Sequence, residues 1–199
     1  MKMKQIRLFI AAFVLLSQGI MAQVPSTVWN LDKAHSSVGF AVDHMVISTV
    51  YGQFNDFSAN VKADNADFTD AVFDFTIQAK SIDTKEAKRD GHLCSPDFFD
   101  VQKYPTITFV GKKFEKVSGN MYKVTGDFTM HGVTKTITLD AKFGVIKDPY
   151  GNTRAGININ AELDRFDYGL KWNAAVETGG LVVGQKVKLM VNVELVKAK

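Results

Sequence analysis

The chain has 199 residues, 24 of them Lys or Arg and 21 Asp or Glu. Three of the basic residues, Lys2, Lys4 and Arg7, lie in an N-terminal leader, so the rest is charge-balanced and offers no clustered basic face for nucleic acid. A single cysteine, Cys94, excludes an internal disulfide, and the length suits one domain with a sizeable core.

Met1 to Ala22 reads as a secretory signal peptide: a basic opening, an apolar run from Leu8 to Leu16, then small or neutral residues. That run is shorter than the roughly 20 residues a spanning helix needs, and no second one follows, so no stable membrane span is expected. The working domain is expected over residues 23–199, in the periplasm.

From there a two-residue rhythm takes over. After Val28 to Lys33, the stretch Ser36 to His44 places Ser36, Val38, Phe40, Val42 and His44 on one face. Tyr51 to Ala63, with Phe54, reads as the next strand. Ala71, Phe73, Phe75, Ile77 and Ala79 alternate with polar residues, and the pattern returns in Thr106 to Phe114 with Phe109. It continues in Tyr122 to Met130 with Phe128, in Val133 to Phe143 with Lys135 and Ile137, in Ala155 to Leu163 with Ile157, and in Val187 to Leu195. One apolar and one wet face along each segment is the signature of antiparallel sheet. His131-Gly132, Ser118-Gly119-Asn120 and Asp148 to Asn152 supply hairpin turns. About eight strands with no second apolar face predict an all-β, eight-stranded antiparallel barrel, because closure removes the edges; a two-sheet sandwich shows the same alternation.

One long stretch breaks the rhythm, Ser81 to Phe109, before its last residues, Tyr104 to Phe109, resume as a strand. Asp83 and Glu86 predict a capped short helix over Thr84 to Asp90, ended by Gly91. Pro96 then resets the chain and Asp97-Phe98-Phe99-Asp100 presents two adjacent aromatics, together a lid between strands.

All but Phe9 and Phe13 of the 15 phenylalanines lie beyond the leader, many on the apolar phase. Small barrels either fill their interior with such rings or enclose one ligand. If a cavity exists, Phe40, Val42, Phe54, Phe73, Phe75, Ile77, Phe109, Phe128, Ile137 and Ile157 line it, with His44 and Lys135 at strand ends placed to meet a polar head. As a core histidine His44 would instead bond a backbone group. His35, His44, His92 and His131 are too widely spaced to form a metal motif, no nucleophile elbow or phosphate loop occurs, and Arg89-Asp90 beside His92 reads as a helix-end ion pair. No cofactor and no catalytic residue are therefore expected. The competing readings are a haem or metal barrel using His44, an enzyme acting on a lipid-like substrate, and a filled-core interaction module. Met45-Val46-Ile47 is a candidate contact for a homodimer.

Further motifs run through the chain in order: Trp29-Asn30-Leu31-Asp32 with His35-Ser36, Phe40 to Met45, Gly52-Gln53-Phe54, Ser81 to Thr84, Arg89 to Leu93, Asp97 to Asp100, Tyr104 to Phe109, Gly126 to Thr129 with His131 to Thr134, and Asp164-Arg165 with Tyr168-Gly169-Leu170. Together these closely resemble the YceI-like family. The resemblance implies an exported, lipocalin-like barrel holding a long apolar molecule, such as a polyisoprenoid, an isoprenoid quinone, or a fatty acid or amide. It carries over no catalytic residues and does not choose among those ligands.

Overall fold

Each alternating segment becomes a strand in the computed structural model, which describes residues 24–175 and 179–199. The leader lies outside the described residues. The strands are β1 (Val28–Leu31), β2 (Ser37–His44), β3 (Ser48–Phe54), β4 (Phe57–Lys62), β5 (Val72–Gln78), β6 (Ile82–Asp83), β7 (Thr106–Ser118), β8 (Met121–Met130), β9 (Val133–Lys147), β10 (Thr153–Asp164) and β11 (Val183–Lys197). All pairings among them are antiparallel.

Eleven strands make an eight-stranded closed barrel because the first three staves are each broken in two. β1 continues as β2, β3 as β4, and β5 as β6. β11 closes the ring, pairing β10 on one side and both β2 and β1 on the other, with Asn192 opposite Ser37 and Leu195 opposite Leu31. The breaks have local causes. Asp32 accepts from the Ala34 amide and starts a 3-10 turn between β1 and β2. At Asn55-Asp56 the backbone turns to meet Ser81, whose carbonyl accepts from the Asn55 amide and whose hydroxyl accepts from the Asp56 amide. The sequence rhythm pauses at the first point but runs through the second, which is why Tyr51 to Ala63 reads as one longer strand.

The helix differs from expectation. It spans Ala87–Cys94 (α1), with Glu86 as its N-cap, accepting from the amides of Lys88 and Arg89. Asp83 accepts instead from the Lys85 amide, and Lys85 adopts φ +63, a left-handed step that a helix cannot pass through. Gly91 sits inside α1 rather than ending it. Arg89 and Asp90 hold Thr84: the guanidinium donates to the Thr84 hydroxyl and carbonyl, and Asp90 accepts from the Thr84 amide and hydroxyl. His131-Gly132 forms a two-residue turn with φ positive at both positions, the geometry that matches strand twist.

An ion network fastens the seam at the end away from α1. Arg154 on β10 bonds Asp148 of the β9–β10 turn at 2.7 Å, Asp32 at 2.8 Å, and Glu194 on β11. Hydrogen bonds from His35 and Arg154 lower the Asp32 carboxyl to about 2, and Arg154 and Asn152 hold Asp148 lower still. A depressed folded-state pKa stabilises above the ordinary carboxylate value of about 4 and ceases to do so as pH falls through the folded value. Arg154→Leu is expected to melt at a lower temperature at neutral pH, with the gap to the parent beginning to close below about pH 4 and still narrowing as pH falls past about 2, where Asp148 remains ionised. A gap independent of pH would show that the ion pairs are not its source.

Candidate functional site

The inward faces of the strands enclose a cavity of about 240 Å³, slightly below the usual range for small-molecule sites. Its surface is apolar throughout: where Asp74, Thr108 and Arg165 reach it, they present carbon. Among the described residues no inward hydrogen-bonding group or charge is offered to an occupant, so apolar surface is what it can take from water.

One end is sealed. Trp29, Phe68, Phe114, Tyr122, Phe143, Ala155 and Leu195 form a buried cluster, with the Phe68 ring 4.8 Å from those of both Trp29 and Phe143. Phe68 comes from the loop between β4 and β5, not from a strand. Asp67 and Asp70 fold that loop by accepting from the amides of Thr69, Asp64 and Asn65, and Trp29 donates from its indole to Ala63. Strand phase could not find Phe68; its one signal is a large ring set among acids that need backbone partners.

The other end carries the lid. Phe98 and Phe99 follow α1 and line the cavity with Leu93, while Leu170 and Arg165 close the side formed by the turn after β10. The Phe98 ring packs 5.2 Å from Trp172 and 5.1 Å from His92, whose Nε2 lies 2.9 Å from Asp97. Phe99 meets Phe54 edge-on at 5.9 Å.

Arg165 holds the turn in place. The residue is 4 % exposed, and its guanidinium donates to the carbonyls of Gly184, Leu170, Trp172 and Val183. Burial lowers its pKa. Cys94 is half-buried beneath the lid, and burial, with Asp90 nearby, pushes its thiol up and away from the reactive thiolate.

Of the residues singled out in the sequence, Phe40, Val42, Phe54, Phe73, Phe75, Ile77, Phe109, Phe128, Ile137 and Ile157 all line this cavity. His44 and Lys135 do not. His44 is the last residue of β2, paired with Val183 on β11 beyond an irregularity in that register and with Ser48 on β3, and lies outside the lining. Lys135 turns to the rim, its Nζ 3.0 Å from Asp167 and over the Tyr168 ring. Asp32, His35 and Glu194 bring possible ligand atoms within 4.8 Å of one another among the described residues, but Arg154 already bonds two of them.

A family model, the YceI-like domain, matches residues 29–195. A UPF0312 protein of Staphylococcus aureus (strain MSSA476) is 38% identical over 170 residues, covering 84% of this chain and 96% of that protein. Among solved structures, a Campylobacter jejuni YceI protein superposes with TM-score 0.68 at 36% identity, over 85% of this chain and 97% of its own. A polyisoprenoid binding domain from Saccharophagus degradans shares the fold with TM-score 0.64 at 16% identity, over 87% of this chain and all of its own.

Proposed function

The chain belongs to the YceI-like family, and from that premise we propose that it is an exported binding protein that holds a long apolar molecule in its barrel. The observation that carries this reading is the cavity: apolar on every side, sealed at one end and lidded by aromatics at the other. Such a space takes up hydrocarbon. At roughly 25 cal/mol per Å², several hundred Å² of buried chain provides several kcal/mol after association costs. No chemical step is assigned, since among the described residues no side chain within the cavity offers an acid, base or nucleophile.

The ligand class is a polyisoprenoid, an isoprenoid quinone, or a fatty acid or amide. The Saccharophagus degradans domain, alike in fold, is a polyisoprenoid binding domain, which favours the first. The proposed contacts are the ten lining residues named above; His44 and Lys135, outside the lining, are given no part in holding the chain. Export, and with it a periplasmic location, rests on the basic and apolar pattern of residues 1–22.

The test is mass spectrometry of an organic extract from the protein purified without detergent, alongside a native mass spectrum. A stoichiometric isoprenoid, quinone or fatty amide is expected. A chain that arrives empty and takes up none of these when they are added would leave the filled-core interaction module as the better account.

A further inference from the structure

Three cavity-lining rings lie over glycines. A Cβ built on Gly111 would fall 2.5 Å from Phe73 Cε1, one on Gly52 would fall 2.7 Å from Phe40 Cε1, and one on Gly126 would fall 2.5 Å from Phe109 Cζ. Real side chains do not approach that closely, so each ring occupies the room its glycine leaves. The registers explain the pattern. Phe40 on β2 pairs with Gly52 on β3, and Gly111 on β7 pairs with Gly126 on β8. Phe73 on β5 lies over β7, and Phe109 on β7 lies over β8. Every ring leans onto the following stave in the same sense round the barrel, and Phe73 and Phe109 stack at 6.2 Å and 26°.

We infer that Gly52, Gly111 and Gly126 set the width of the cavity, and so decide that it accepts a methyl-branched chain rather than only a straight one. The inference rests on the binding reading above and adds the specificity device. A ring flat against the wall takes little of the lumen; a ring displaced by a side chain beneath it can turn only inward, since the sheet blocks the other way. With no polar group among the described residues facing the interior, the cavity selects on shape, and its cross-section is what these rings set. Glycine inside a strand costs stability, and a place where another group approaches closely is a recognised reason for it.

Gly111 offers the clean test, because the atoms a Cβ would meet there belong to the Phe73 ring, whereas at Gly126 the Val110 carbonyl also lies 2.6 Å away. The probes are geranylgeraniol and hexadecanol, alcohols of equal main-chain length with and without methyl branches, titrated into the full chain. Gly111→Ala is expected to weaken geranylgeraniol about tenfold while changing hexadecanol less than about threefold, and Gly111→Ala with Phe73→Leu to restore the branched probe. Gly52→Ala, with Phe40→Leu as its rescue, repeats the test on the opposite hairpin should the first variant fold poorly. Equal loss for both probes, no loss, or no rescue overturns the inference while the carrier reading stands. A parent protein that binds neither alcohol overturns both.

Discussion

Replacing Phe75 with Glu is expected to abolish ligand retention while leaving a folded barrel. Phe75 lies on the inward phase of β5, lines the cavity, and stacks on Phe57 with ring centres 5.6 Å apart. In the empty protein the folded state loses the ring packing, about 1–3 kcal/mol, and part of the hydration of the acid, which the vacant lumen and protonation limit. In the complex the same carboxylate would lie against hydrocarbon with no hydrogen-bond partner, a cost of at least about 3 kcal/mol, or more than a hundredfold in affinity. Phe75→Leu keeps an apolar wall and should retain ligand. The check is lipid content by mass spectrometry with circular dichroism on each variant. Unchanged lipid content in Phe75→Glu would place the ligand somewhere other than the barrel.

The largest loss of stability is expected at Arg165. Methionine there preserves bulk but removes four hydrogen bonds, two to Gly184 and Val183 at the start of β11 and two to Leu170 and Trp172 in the segment after β10. Val183 keeps the Asn173 amide as a donor, but the buried Leu170 carbonyl and the half-buried Gly184 and Trp172 carbonyls lose theirs, and about 3 kcal/mol should be lost in urea denaturation. Lysine will not rescue, since a single ammonium cannot reproduce the planar fork that meets Leu170, Trp172, Gly184 and Val183 together. Because Leu170 and Val183 line the cavity, amide exchange across 165–175 and 179–184 should also quicken. A stability within about 0.5 kcal/mol of the parent would mean that the strands, not the guanidinium, hold that side of the barrel.

These two residues mark how much was legible beforehand. Phe75 could be assigned to the interior from alternation alone, because a strand sends successive side chains to opposite faces and closure turns one face of every strand inward. The same rule found nine more of the residues that line the cavity. For His44 and Lys135, which it set at strand ends, phase gives a direction but not a depth: both keep the inward period, yet neither reaches the lining, His44 being the last residue of β2 and Lys135 being drawn to the rim by Asp167. The helix was misplaced for a different reason, as the left-handed Lys85 separates Asp83 from the turn it was expected to cap.

The strand rhythm, the turns and the interior assignment of the phenylalanines are local properties, decided by periodicities of two residues and by short-range hydrogen bonds, and the sequence by itself determined them. The ordered run of motifs likewise sufficed to place the chain in its family. What only the tertiary structure decided involves partners distant in the chain. The Phe68 plug meets Phe143, the Arg165 clamp meets Val183 and Gly184, and Phe73 needs the missing side chain of Gly111. A glycine in an alternating strand carries no mark of which ring will lie over it; that is set by register between strands, which exists only once the barrel has closed.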